Sequence, residues 1–339
     1  MQTDPTLPTD DGAFVKPPLL PFARRYPVFI GAAVGLLLRL VFSGSAGSNW
    51  SPMVGSFIYL MPVVVGMVTV YLAERQRRRS WGYYLGAAAA ATSLVVLGSL
   101  LVFIEGMICA IVIVPMFAVM GAIGGLVMGL ACRLTNWPKP LLCAMGVMPL
   151  LLGAFGDALP TPEDNFGTIE HRLHIDAPPA TVWRQIHEAD GIRPPEMGRG
   201  WAYRIGVPLP LSGRTVDTPE GRVHRMQMGK GVHFEGVVRD WEPERRVRWT
   251  YRFAPDSFPA GALDDHVLIG GHYFDLIDTD FHLRPEAGGT DLSVRIHYRV
   301  STEFNLYADW VARLLLGNFS EVLLDLYRDR SLAAPVPPG

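Results

Sequence analysis

Between Asp264 and Leu283 the chain reads DDHVLIGGHYFDLIDTDFHL, an apolar stretch set with carboxylates and imidazoles. Such groups at close spacing can ligate a metal, form an acid–base pair, or line a polar patch inside an apolar cavity. On an ordinary strand the same residues are only its wet face. Alternation along a strand sorts them. Ile277, Phe281 and Leu283 share a face with Tyr273, Asp275 and Thr279, and this face is expected to point inward. His272, Phe274, Leu276, Asp278, Asp280 and His282 fall on the other, with its polar end toward solvent. A bulge near Gly270-Gly271 would shift that register.

Metal chemistry has little support. His272 and His282 stand too far apart along a strand to hold one ion. His171 and His174, in HRLH, face opposite sides of theirs. The three cysteines, Cys109, Cys132 and Cys143, all lie in the first half, which excludes a disulfide framework or a cysteine-bound zinc in the second. No metal or cofactor is expected. The group with chemical potential is Asp275. A carboxylate buried among aromatics needs a partner or a raised pKa. Tyr251 and Tyr298, on the inner faces of their strands, could donate to it. Asp275 could then hold a ligand's polar end, act as general acid or base, or make a purely structural hydrogen bond.

The elements that must position these groups fall into two unlike halves. With 30 Lys and Arg against 32 Asp and Glu, the chain is near neutral, which gives nucleic acid no electrostatic hold. Mean hydropathy is +0.22, and the excess lies in the first half. Residues 1–25, rich in Pro, Asp and Thr, read as a disordered tail rather than a signal peptide. Residues 26–156 read as a transmembrane helical bundle of about five helices, since a bilayer core needs about twenty apolar residues per span. The spans are Val28–Phe42, Met53–Ala73, two within Tyr83–Leu130 divided at Glu105-Gly106, and Leu141–Gly156, which contains Pro149.

Gly31/Gly35 and the ladder Gly121, Gly125, Gly129 allow close helix contact, inside the bundle or between copies in a homo-oligomer. Arg39 lies within the first span. It either snorkels to the interface or serves a function. ERQRRRS, Glu74–Ser80, is the most basic loop and should be cytoplasmic, with Arg24, Arg25, Arg133 and Lys139 on the same side. The expected setting is a bacterial cytoplasmic membrane with a cytoplasmic N-terminus. The second half is then extracytoplasmic if there are five spans and cytoplasmic if there are four.

A Pro-rich acidic linker, 157–167, leads to a domain at 168–330, with a tail at 331–339. TIEHRLHID alternates as a strand, and APPATVWRQIHEAD reads as a helix entered through prolines. A Pro- and Gly-rich irregular stretch follows. Strands then come in series at Arg222–Met228, Val232–Trp241, Val247–Phe253, His272–Leu283 and Leu292–Val300, the last two joined by the EAGGT turn. A long amphipathic helix, Asn305–Arg330, closes the chain, with Leu306, Trp310, Leu314, Val322 and Leu326 as its buried stripe. The fold class expected is an all-α transmembrane bundle followed by an α+β domain whose antiparallel sheet wraps around that helix. DSFPAGALDD, Asp256–Asp265, is long for a hairpin. It could be a cavity lid, a surface meeting the membrane through Phe258, or a plain connector.

This order, with HIDAPPATVWRQI, VVRDWEPERRVRW and EAGGTDLSVRIHYRV, resembles the START-like superfamily, also called helix-grip or Bet v 1-like, over Thr168–Arg330. The superfamily includes polyketide cyclases, plant pathogenesis-related ligand carriers and lipid-transfer domains. The resemblance implies an apolar cavity between sheet and last helix that holds a lipid, sterol, polyketide or aromatic ligand. It implies no catalytic residue. Trp249, Tyr251, Tyr273, Asp275, Tyr298 and Trp310 are the candidate ligand-binding residues. Three functions remain open: a membrane-anchored carrier or sensor of a hydrophobic molecule or lipid, an enzyme such as a cyclase or lipid-modifying protein using Asp275 and Tyr251, and a protein-interaction module with a filled core. The expected partners are the bilayer and an apolar ligand.

Overall fold

A computed structural model describes residues 26–135 and 163–334. The first of these segments folds as four helices, α1 (Pro27–Val41), α2 (Met61–Glu74), α3 (Trp81–Leu101) and α4 (Met107–Leu134). A wide turn of helix, Ser56–Leu60, runs directly into α2. Helix starts carry the expected signals. Pro27 and Pro62 occupy first turns, where a missing N–H costs nothing, and the Ser80 hydroxyl accepts the Tyr83 N–H at the start of α3.

Among the described residues, three helical segments are long and apolar enough to cross a membrane: Ser56–Glu74, Trp81–Leu101 and Met107–Leu134. Four of the five expected spans fall among these residues, and three of the four qualify. At 15 residues α1 is too short by that measure. Its end is set locally, because Arg39 turns its Nη1 onto the Phe42 carbonyl at 2.7 Å. Leu141–Gly156 lies outside the described residues.

The glycine ladder is spent on packing within the bundle. A Cβ at Gly125 would stand 2.3 Å from the Tyr84 carbonyl, and one at Gly66 would stand 2.0 Å from the Gly121 carbonyl. Leu97, Ile111, Val119, Ile123 and Val127 remain exposed on the outside of α3 and α4, an apolar surface suited to lipid. Arg133 braces one end of the bundle by donating to the Arg79 carbonyl and lying over the Trp81 ring. The loop 42–55 and the turn 102–106 occupy the opposite end, since α2, α3 and α4 each run from one end to the other.

The second segment is an eight-stranded antiparallel sheet in the order β1-β8-β7-β6-β5-β4-β3-β2. The strands are β1 (Asn165–Ile175), β2 (Glu188–Ala189), β3 (Pro210–Thr218), β4 (Gly221–Met228), β5 (His233–Glu242), β6 (Arg246–Arg252), β7 (Phe274–Glu286) and β8 (Gly289–Val300). Helix α5 (Pro179–His187) and two short helices, α6 (Pro194–Met197) and α7 (Trp201–Arg204), lie between β1 and β3. The strand β3 occupies the stretch expected to be irregular. Its prolines and glycine hid it, and Pro210 sits at a bulge, where a missing donor is tolerated. Further bulges at Val238/Asp240 and Leu276/Asp278 bend the sheet.

Strict alternation in β8 buries Leu292, Val294, Ile296, Tyr298 and Val300 on one face. Helix α8 (Asn305–Ala333) crosses that face. Its second half packs as expected, with Val322 and Leu326 buried against Phe281, Leu283 and Ile186 in one core. Its first half does not. Leu306, Trp310 and Leu314, assigned to the buried stripe, are exposed. The helix begins inside the bundle instead, with Phe304 buried in the cluster of Phe57, Met61 and Phe117. Leu306, Trp310 and Leu314 face outward on the opposite side of the helix from this contact.

Candidate ligand cavity

A cavity of about 330 Å3 runs between the sheet and α8 and continues into the end of the bundle. The sheet contributes Met226, Met228, Phe234 and Tyr251 from β4–β6, and Phe274, Leu276, Ile296 and Val300 from β7 and β8. Val311, Leu315 and Phe319 line it from α8. Phe57, Met61, Val95, Val112 and Phe117 line it from the helical bundle. The segment expected to be lid, membrane-facing surface or connector supplies Leu263 near its end, and the residues just after it supply His266, Val267 and Ile269. Phe258 itself packs beside Val232 and Phe234 in the domain.

Specific hydrogen bonds hold the two halves together around this cavity. The Tyr273 hydroxyl shares a 2.8 Å hydrogen bond with Ser51 Oγ and accepts the Gly47 N–H at 3.2 Å. Asp264 accepts the Cys109 N–H at 3.1 Å, at the start of α4. Glu303 accepts the Gly55 N–H at 2.6 Å. Tyr307 donates to the Val112 carbonyl at 2.6 Å.

The wall is apolar with few polar points. Tyr251 shares a 2.6 Å hydrogen bond with Thr279, and burial raises its pKa. Burial likewise pushes the Tyr203 phenol up, and its hydroxyl is buried without a hydrogen-bond partner among the described residues. On the bundle side Arg39 Nε donates to Glu105 at 2.7 Å, with both side chains largely buried. Arg39 is thus buried and paired rather than exposed at the end of α1. It pairs across the bundle and faces the cavity.

Of the six candidate residues, Tyr251 and Tyr273 line the cavity. Trp249 is buried behind it, stacked on His224 with centroids 4.6 Å apart. Tyr298 is fully buried and donates to Asp309 at 2.7 Å. Trp310 is on the outside of α8. Asp275 points away from the cavity, and the register explains the reversal. Paired antiparallel residues share a face, and Phe274 and Leu276 pair with the inward Val300 and Tyr298, whereas Asp275 pairs with Arg299. The bulge between Leu276 and Asp278 then restores the expected alternation, so that Thr279, Phe281 and Leu283 point inward. The shift lies within the strand, not at Gly270-Gly271. Burial raises the pKa of Asp275, opposed by Arg299 and by the backbone N–H groups of Leu276 and Gly270.

The polar end of the opening stretch forms a paired outer face rather than a bare one. Asp280 accepts both Arg246 Nε and Nη2, at 3.1 and 3.0 Å, and is buried beneath them. His297 and Asp278 are 2.7 Å apart, and His282 lies 3.0 Å from Asp280. His171 contacts Ser320 at 2.5 Å on the helix side of β1, and His174 contacts Asp291 at 2.8 Å on the other. His174 also converges with Glu286 and Asp291 at the surface, a grouping brought about by the β1–β8 pairing.

Sequence reasoning missed two groups of residues. Glu105 was read only as the break between two spans, yet it is the partner of Arg39, 66 positions away. The other group is a buried relay in which Thr215 Oγ1 lies 2.7 Å from His187 Nδ1 and 2.9 Å from His224 Nδ1. Trp183, Trp241 and Trp249 wrap these imidazoles. Burial is the main cause that lowers their pKa values, to about 3 for His187 and about 4 for His224. Both are neutral at physiological pH. The only sequence signal was a histidine, His187, at the apolar end of a helix.

No protein-family model matches the chain, and no curated protein matches it. Solved structures do. The crystal structure of Ara h 8.0201 is 13% identical, with a TM-score of 0.31 over 50% of this chain and 100% of its own. A putative uncharacterized protein from Rhizobium leguminosarum is 14% identical, with a TM-score of 0.30 over 52% of this chain and 100% of its own. The di-domain ARO/CYC protein StfQ of the steffimycin biosynthetic pathway is 12% identical, with a TM-score of 0.32 over 59% of this chain and 60% of its own. With such scores, the helix-grip arrangement rests on the strand order and the seating of α8 described above.

Proposed function

We propose that this chain is a membrane-anchored helix-grip protein that binds, and carries or presents, one hydrophobic small molecule or lipid. The observation that carries this reading is the apolar cavity between sheet and α8, lined by large side chains yet left open. Protein interiors are normally packed to crystal density, so an apolar space of this size is built for an occupant. The membrane setting is supported by the three apolar helices and by the exposed apolar side chains of Leu306, Trp310 and Leu314 on the half of α8 nearest the bundle. The residues considered for an enzyme are separated, Tyr251 inside the sheet and Asp275 outside it.

The domain docks on the end of the bundle whose loops, 42–55 and 102–106, contain no Lys or Arg. Arg75, Arg77, Arg78, Arg79 and Arg133 lie at the other end. The positive-inside rule makes the basic end cytoplasmic and the domain extracytoplasmic. A reporter active only outside the cytoplasm, fused after α8, should therefore be active.

Native mass spectrometry of the full chain, released gently from its membrane, tests the binding reading. A reproducible bound mass of one apolar molecule is expected. A clean unliganded mass with no uptake from a lipid extract would remove the carrier reading and favour a protein-interaction role.

A further inference from the structure

The bundle is more than an anchor. We infer that its helices form the membrane-side half of the ligand site, and that the ligand is a single-chain amphiphile with an uncharged, hydroxyl-bearing head held at the Arg39–Glu105 pair. This inference rests on the binding reading above and specifies where and what the site binds.

The first argument is geometric. Arg39, Phe57, Val95, Glu105, Ile108 and Phe117 line the same cavity as Tyr251 and Phe319. The domain therefore does not close its own cavity, and α2, α3 and α4 complete it. The five cross-half hydrogen bonds at Tyr273, Asp264, Glu303 and Tyr307 fix the two walls relative to one another.

The second argument is electrostatic. Ionised groups within a bundle are expensive and mark function more often than stability. Arg39 spends Nε on Glu105 and Nη1 on Phe42 O and Ser43 Oγ, and Nη2 has no partner among the described residues. The pair is neutral as a unit, and Asp264 adds a carboxylate at the adjoining start of α4. An anionic head would meet Glu105 and Asp264 in a medium that screens poorly. A cationic head would meet Arg39. A hydroxyl can accept from the guanidinium and donate to the carboxylate, satisfying both. At about 330 Å3, near the lower bound of roughly 300–1,000 Å3 for small-molecule pockets, the space suits one chain rather than two.

The test uses the full chain in nanodiscs with a photoreactive analogue of oleyl alcohol. Competition by unlabelled oleyl alcohol and by oleate, and the mapped cross-links, are the readouts. Cross-links on both the transmembrane helices and the sheet–α8 walls, competed better by the alcohol, are expected. Affinity should fall roughly tenfold to a hundredfold in the Arg39→Gln/Glu105→Gln double variant, as for loss of hydrogen bonds to charged groups. Ile113→Phe, which narrows the bundle side without touching the pair, should also weaken binding, so a misfolded double variant does not decide the matter. Cross-links confined to the sheet and α8 would overturn the shared site and leave the binding reading standing. Stronger competition by oleate would overturn the head-group assignment. Absence of any competed cross-link would remove both.

Discussion

At the scale of single residues, the most strongly shifted imidazoles lie outside the cavity wall and are closed upon one another through Thr215. His187 and His224 are neutral when folded and protonate once exposed, because burial lowers them from 6.5 to about 3 and about 4. The unfolded chain therefore binds more protons below pH 6.5. The stability from these two groups is full above that pH and is lost as pH falls toward 4, at up to roughly 2.7 kcal/mol per pH unit for two protons. Thermal melts at pH 7.5 and 5.0 should show this loss, and a His224→Gln variant should show a smaller difference between the two. Equal acid sensitivity in variant and parent would contradict the account. Asp275 should behave in the opposite way to a functional carboxylate. Asp275→Asn should change stability by less than about 1 kcal/mol and leave the bound mass unaltered, because the side chain lies on the outer face opposite Arg299. That outcome is read by melting and native mass spectrometry on the same sample.

At the scale of elements, one extra residue in β7 is absorbed by a bulge. The bulge between Leu276 and Asp278 lets Phe274 and Leu276 point inward at one end of β7 and Phe281 and Leu283 at the other. Deleting Ile277 would remove the bulge and restore a regular ladder without changing any facing, because Leu276 and Asp278 already pair with the successive residues Tyr298 and His297. Phe274 and Leu276 would stay inward and Asp275 outward. The deletion variant should therefore keep the bound mass in native mass spectrometry. Loss of ligand would mean that the bend made by the bulge, and not only the facing of β7, shapes the cavity.

The same bulge shows what the sequence could and could not reveal. Periodicity located β4 to β8, α5 and α8, because apolar spacing is a local signal that burial enforces. It failed for Asp275, since a bulge leaves no fixed mark in sequence. It failed for Leu306, Trp310 and Leu314, since an apolar stripe does not say whether protein or lipid covers it. The partners Arg39 with Glu105 and His187 with His224 are joined only by tertiary packing.

At the scale of the whole molecule, the two halves are one object with a shared interior. Hydropathy separates them cleanly, so a reading by composition takes them as anchor and cargo domain. The interface contradicts that division, because Phe304, just before α8, is buried among side chains of the bundle and Tyr273 bonds to the loop of the bundle. Tyr273→Phe should remove one of the two partners of the buried Ser51 hydroxyl, which still accepts the Met53 N–H, and cost about 1 kcal/mol. Limited proteolysis should then cut the 42–55 loop faster in the variant than in the parent. An unchanged cleavage pattern would indicate that other contacts carry the docking.

Three of the cross-half bonds share a grammar. At Gly47, Gly55 and Cys109 the domain's side chains meet backbone N–H groups of the helical half, not its side chains. A Cβ at Gly55 would come within 2.6 Å of the Glu303 carboxylate, and one at Gly106 would overlap Asp264 outright. The helical half is thus recognised largely by its bareness, with the Ser51 hydroxyl as the side-chain exception. Over evolutionary drift the other side chains of these loops are free to change without breaking the joint, provided the glycines stay bare and Ser51 keeps its hydroxyl. A saturation library of residues 43–55 and 102–106, selected for intact docking, should show tolerance interrupted at Gly47, which has a positive φ, and at Ser51, Gly55 and Gly106.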